Sequence, residues 1–171
     1  MTSHLKVPSM PQIVSARRPL SRRVAPARLA SLGPDEFEGY ASLFGVADGA
    51  GDIVMPGAFA ATLRRRPPAR VRMLYQHTAT EPLGVWRDIR EDARGLYVRG
   101  RLVLDVQRAR EVRALFADGA LDGLSIGFRT VRARKSGANR LLSEIELWEI
   151  SVVTFPLLAG SSVTAVGTAA R

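Results

Sequence analysis

The stretch "ALDGLSIGFRTV", residues 120–131, decides how this chain is to be read. Ser125 stands between Gly123 and Gly127 in the GxSxG spacing of a nucleophile elbow, a tight turn that leads from a strand into a helix. After Ser125 come Ile126, Gly127, Phe128, Arg129, Thr130 and Val131, an alternation that continues a strand where the elbow requires a helix. The stretch is therefore a strand, with Leu124, Ile126 and Phe128 pointing one way and Ser125, Gly127 and Arg129 the other. The hydroxyl leaves the apolar face, and the two glycines present no side chain to obstruct a peptide approaching on that side.

Outward from this strand the texture is of short apolar runs broken by turns. "FEGYASLFGVA" (37–47) reads as a first strand and "DGAGD" (48–52) as a turn. In "MPGAFAATLRRR" (55–66), Pro56 and Gly57 precede Phe59, Ala60 and Leu63, which predicts a short helix. "RVRMLYQH" (70–77) reads as a strand on which Val71, Met73, Tyr75 and His77 share one face, so that His77 ends a strand. "PLGVWRDIRED" (82–92) and "RGLYVRGRLVL" (94–104) alternate on either side of the turn-like "EDARG", a hairpin. A helix is predicted over 105–118, with Asp105 as N-cap, Val106, Ala109, Val112, Leu115 and Phe116 as the apolar stripe, and Gly119 at its stop. Two further strands complete the pattern, "NRLLSEIEL" (139–147) and "WEISVVTF" (148–155), the second stopped by Pro156. About seven strands with two helices predict a mainly β, α+β fold: a closed or nearly closed β-barrel, or a sandwich, with flanking helices.

The 171 residues suffice for one ordinary domain, and 46% apolar content suits a packed core. The absence of cysteine removes disulfides, thiolate nucleophiles and cysteine-ligated zinc together. No apolar run approaches the roughly 20 residues that span a bilayer, and the N-terminus lacks the hydrophobic core of a secretion signal, so the expected compartment is cytoplasmic with no membrane contact. Of the net charge of +9, residues 1–33 carry +6, with no Asp or Glu among them. This basic, proline-rich segment has neither strand nor helix period and reads as a disordered leader ahead of a folded domain over 34–171. It suits contact with nucleic acid or an acidic scaffold, a transit-like role, or a solvated and removable leader.

A serine needs a base to act as a nucleophile at neutral pH, and bases are scarce here. His4 and His77 are the two histidines, and Lys6 and Lys135 the two lysines. His4 and Lys6 fall in the leader, and Lys135 in the turn-like "ARKSGAN" (133–139). A histidine partner for Ser125 must then be His77. The α/β-hydrolase order fails, because it places its histidine after the serine and none follows Ser125. A strand serine is ordinarily a small residue on a half-exposed face, and a lone strand-end histidine an exposed imidazole. Spacing alone leaves those readings open beside the catalytic one.

Four blocks, in order, resemble the prohead maturation proteases of tailed phages of the HK97 type, which are related to the herpesvirus assemblins. They are "FEGYASLFGVAD" with "GDIVMPGAF", "MLYQHTATEPLGVW", "DGALDGLSIGFR" and "EIELWEISVVTFPLLAGSSVTAV", within residues 36–166. The resemblance implies an assemblin-like barrel and a serine endopeptidase in which Ser125 is the nucleophile, His77 the base and Glu149 the acid that orients it, with Glu146, Glu144 and Asp52 as rivals for the third place. The assemblins support the oxyanion with arginines after the element matching "SVVTFP", but here none follows until Arg171, which leaves backbone N–H groups or Arg129. The implied substrates are a scaffold protein or the delta domain of a major capsid protein, together with the protease itself, inside an immature phage or phage-like (gene-transfer-particle) capsid in the host cytoplasm, with homo-oligomerisation left open. No metal or organic cofactor is implied. The rival is a non-catalytic capsid-associated binding module whose basic tail contacts nucleic acid or scaffold.

Overall fold

The computed structural model describes residues 31–168. The leader predicted for residues 1–33 lies, up to residue 30, outside the described residues. From Ser31 on, the chain forms a compact unit of its own. Eight strands run in the order β1 (Glu36–Leu43), β2 (Asp52–Val54), β3 (Arg72–Tyr75), β4 (Thr78–Glu91), β5 (Gly95–Leu102), β6 (Gly123–Ser136), β7 (Asn139–Val153) and β8 (Ser162–Val166). Helix α1 (Ala60–Arg65) precedes β3, and helix α2 (Gln107–Ala117) joins β5 to β6.

The sheet order is β7-β3-β4-β5-β1-β8-β6, and β6 pairs back to β7, which closes a seven-stranded barrel of the kind expected. The set of strands differs from the expected one. The two runs predicted over 139–155 form the single 15-residue β7, because no turn residue interrupts them at Leu147–Trp148. The place thus freed is taken by β8, a five-residue strand of small residues with little apolar pattern. The three-residue β2 lies outside the ring, parallel to the outer part of β7. β3 pairs, also in parallel, with the same edge further along, from Arg72↔Glu149 to Tyr75↔Val152.

Inward residues fill the barrel: Phe37, Met73, Leu83, Trp86, Leu96, Leu124 and Ile150 are buried to 2% exposure or less. A Cβ on Gly100 would press on Met73 Cε, Trp86 and Phe37, so this glycine makes room for the aromatic centre. Helix α2 covers one opening with Ala109, Val112 and Phe116, the last 5.1 Å from Phe37 ring to ring. Its N-cap is Val106, without a side-chain cap, and not Asp105. Leu115 is 39% exposed, against expectation, because it sits about 100° around the helix from Phe116 and turns off the buried face. The helix stops as predicted: Gly119 takes φ +66, Ala120 N–H donates to Leu115 O and Gly119 N–H to Phe116 O, a Schellman cap.

The closure is uneven. β6 and β7 are laddered from Gly123↔Val153 to Ser136↔Asn139, whereas β8 meets β6 in one pair, Gly123↔Ser162. Beyond Leu124, whose N–H donates to Ser161 O, no ladder partner lies on the other edge of β6 among the described residues. Ser125 therefore stands at the start of an open strand edge.

Candidate active site

Three adjacent strands carry the candidate residues. β6 brings Ser125 opposite Ser151 of β7, and Gly127 opposite Glu149. On this ladder Leu124, Ile126, Ile150 and Val152 belong to the barrel core or its margin, so Ser125, Gly127, Glu149 and Ser151 share the opposite face. β3, on the far edge of β7, delivers His77.

His77 does not continue the face of Met73 and Tyr75, as the period of two predicts. β3 ends at Tyr75, which pairs with Thr78 of β4, and the two residues between them have φ +52 at Gln76 and +57 at His77. Two positive φ values in a two-residue loop are what a type I′ hairpin turn requires, and Gln-His lacks the Asn or Gly that usually announces one. Such backbone persists in non-glycine residues where the surroundings over-determine it. Here Gln76 N–H donates to Val152 O at 2.9 Å, its Nε2 donates to Thr154 Oγ1 at 2.6 Å, and its Oε1 accepts the Thr154 N–H at 3.3 Å. The turn is clamped to the end of β7, and the clamp aims the imidazole at Glu149.

His77 Nδ1 lies 2.7 Å from Glu149 Oε1. A carboxylate can only accept, so Nδ1 carries the hydrogen and Nε2 is the basic nitrogen of the neutral ring. The second carboxylate oxygen accepts from Ser151 Oγ at 2.6 Å, and Ser151 Oγ in turn accepts the His77 N–H at 3.1 Å. The Glu149 side chain is 13% exposed and that of His77 44%, so the carboxylate is sheltered and the imidazole accessible. Gly127 has a different part from the one expected. A Cβ there would collide with the Glu149 carboxylate, so the space over Gly127 is filled by that carboxylate and is not left for a peptide.

The rivals for the third position are held elsewhere by arginines. Glu146 accepts from Arg129 Nε at 3.1 Å and Nη2 at 2.7 Å, and lies 3.4 Å from Arg66 Nη2. The Arg129 hydrogen bonds are the main reason its carboxyl is held below the usual glutamate range. Glu144 lies 3.8 Å from Arg132, and Asp52 is bound in a fork by Arg140 at 2.7 and 2.5 Å. Arg129, a candidate for the oxyanion, is thus engaged with Glu146. Lys135 is the penultimate residue of β6, paired with Arg140 and remote along the ladder from Ser125.

Beside Ser125, which is 9% exposed, runs a cleft lined by Ile126 and Phe128 of β6, Ser42 of β1, Val46, Asp48 and Leu157. The Ser42 hydroxyl is buried there without a hydrogen-bond partner among the described residues. Sequence patterning does not single out Ser42, Ser151, Gln76 or Thr154. The Ser-x-x-Thr spacing just after Glu149 becomes informative only once β3 is known to lie beside β7.

Known proteins give this geometry its context. The family model described as Caudovirus prohead serine protease matches residues 26–170. The prohead protease of Enterobacteria phage HK97 is 37% identical over 134 residues, which cover 76% of this chain and 59% of that protein. The chain thus spans about three fifths of the length of this relative. Among solved structures, the bacteriophage T4 capsid assembly protease superposes with a TM-score of 0.56 at 11% identity, over 69% of this chain and 80% of that one. The KSHV protease, solved with a hexapeptide phosphonate inhibitor, gives 0.54 at 10% identity, over 75% of this chain and 63% of that one. At such identities these two establish a shared fold alone. With the family model spanning most of the sequence and a relative above one third identical, the chain belongs to the Caudovirus prohead serine protease family.

Proposed function

We propose that the chain is a serine endopeptidase that cleaves a scaffold protein or the delta domain of a major capsid protein inside an assembling prohead. The observation that carries the reading is the 2.7 Å contact of His77 Nδ1 with Glu149 Oε1, where Glu149 stands on the strand paired with the one that bears Ser125 and His77 in the turn that follows the strand on its far edge. Ser125 Oγ attacks the scissile carbonyl while His77 Nε2 takes its proton. The imidazolium then protonates the leaving amine, and water, deprotonated by the same nitrogen, releases the acyl group from Ser125. Glu149 holds the tautomer and stabilises the imidazolium. With Arg129 occupied by Glu146, main-chain N–H groups are the oxyanion donors. A substrate strand adds to the open edge of β6, and the side chain flanking the scissile bond enters the cleft between Ile126, Phe128 and Leu157. The basic segment 1–33 tethers or packages this domain, over 34–171, through an acidic partner.

Covalent labelling with a fluorophosphonate tests the reading. The wild-type chain is expected to be labelled at Ser125, as located by peptide mass spectrometry. Ser125→Ala is expected to lose the label. His77→Ala should slow labelling as much as the His77→Ala, Glu149→Gln double variant does, because a base and its orienting acid act as a unit. A wild-type chain that resists the probe, or labels elsewhere at the same rate, would end the proposal.

A further inference from the structure

Ser151 is fully buried although it stands on the outer face of the ladder, directly opposite Ser125. Its hydroxyl uses both of its capacities within one small ring of contacts. It accepts the His77 N–H at 3.1 Å and donates to Glu149 Oε2 at 2.6 Å, while Glu149 Oε1 returns to the His77 ring at 2.7 Å. The same side chain therefore touches the main chain of the proposed base and the free oxygen of the proposed acid. A carboxylate on a three-carbon arm can rotate about its last bond and still accept one hydrogen bond. A donor on the second oxygen removes that freedom and fixes the plane in which Oε1 meets Nδ1. The ring also ties this plane to the backbone of His77, whose φ of +57 is itself held by the Gln76 clamp.

From this geometry we infer that Ser151 is a positioning residue of the catalytic set, fixing the Glu149 carboxylate relative to both the ring and the main chain of His77. The inference rests on the proposed roles of Ser125, His77 and Glu149. Ser151 touches no reacting atom and acts through Glu149.

The test uses the full chain and a fluorophosphonate probe, with the first-order labelling rate at saturation and the half-saturating probe concentration measured separately. Ser151→Ala is expected to lower the saturated rate about 10- to 100-fold, the range typical when a supporting hydrogen bond behind an active group is removed, with half-saturation unchanged. Adding Ser151→Ala to Glu149→Gln should slow labelling less than about twofold beyond Glu149→Gln alone, because the carboxylate through which the serine acts is already neutralised. Ser151→Thr, which keeps the hydroxyl, should recover most of the rate. Full-rate labelling of Ser151→Ala would overturn the inference, and so would a double variant whose loss equals the product of the two single losses. If Ser151→Ala does not fold, Ser151→Cys supplies the same comparison with a near-isosteric but weak donor, and wild-type rates there would equally overturn it. Failure of the wild-type chain to label would instead strike the proposed function, so the two failures are distinguishable.

Discussion

The long β6–β7 hairpin has two halves built on one ladder and put to opposite uses. At the inner half, Gly123–Gly127 faces Glu149–Val153, and the carboxylate meets an imidazole and a hydroxyl. At the outer half, Phe128–Ser136 faces Asn139–Leu147, and Glu146, Glu144 and Asp52 meet the guanidinium groups of Arg129, Arg66, Arg132 and Arg140. The outer half is the richer in charge, with Arg129, Arg132, Arg134, Lys135 and Arg140, but charge content alone does not say which glutamate meets the imidazole. The third strand does. Beside the inner half of β7 runs β3, which ends in the strained turn bearing His77; beside the outer half runs β2, which brings Asp52 to Arg140. A carboxylate on β7 thus acquires its chemistry from the strand across its other edge.

Neutralising one glutamate in each half separates their roles most strongly. Glu149→Gln keeps the shape of the side chain but removes the charge that supports the imidazolium. The labelling rate is expected to fall by up to about 10⁴-fold, the loss seen when the orienting acid of a buried triad is made an amide. Glu146→Gln leaves the His77 contact untouched and should keep the rate within about tenfold, or roughly 1.4 kcal/mol in barrier. Intact activity in Glu149→Gln together with its loss in Glu146→Gln would exchange the two halves and leave only the pairing of Ser125 with His77.

Glycines sharpen the same contrast at lower amplitude. Gly127 lies under the Glu149 carboxylate, and an alanine there must push Oε1 and the carboxyl carbon aside. Gly127→Ala is expected to slow labelling on the order of 10- to 100-fold and to cost about 1–3 kcal/mol of stability through overpacking. Gly137, at the tip of the outer half, has φ +61 and open space around it. Gly137→Ala meets only backbone strain, about 1–2 kcal/mol, and should label at the wild-type rate. Chemical denaturation and probe kinetics on the two variants separate stability from activity. A Gly127→Ala chain of full activity would mean that the carboxylate has another place to go.

Much of this is legible in the sequence, for reasons that also mark where reading stops. The Ser125 strand, the 92–94 hairpin turn and the Gly119 stop are local patterns, and local patterns survive in a single chain. The barrel class comes from the number of alternating runs. Yet the expected seven strands split β7 in two and omit β8, since Ser162–Val166 is short, small-featured and held mainly by β1. His77 emerges by elimination among few bases, but its turn does not: Gln-His carries no turn signal, and its positive φ values depend on Thr154 and Val152, far along the chain. Nor does the local pattern choose between Glu149 and Glu146: strict alternation would put residues three apart on opposite faces, and a register shift that skips Trp148, set by the pairing with β6, returns both to one side of the ladder. They stand on the same strand with the same chemistry, and the family resemblance rather than the pattern puts Glu149 first. Ser151 and the filled space over Gly127 are invisible for the same reason, being properties of neighbours across the sheet.

The smallest expected effect belongs to the outer half and concerns pH. The Arg129 hydrogen bonds, opposed by partial desolvation and helped by the charges of Arg129, Arg66 and Arg65, hold Glu146 below the ordinary glutamate range in the folded chain. A carboxyl depressed in this way favours the folded state wherever it is ionised in both states. That contribution is fully present above the unfolded glutamate range and fades as pH falls through the lower folded value. The partners face solvent, so the gain is modest and weakens in salt. Thermal melts from neutral pH into the acid range should therefore show the wild-type chain losing slightly more stability on acidification than Glu146→Gln, with the gap closing at high ionic strength. A gap that persists in high salt would mean that the outer half is as sheltered as the inner one, and the contrast between them would then rest on His77 alone.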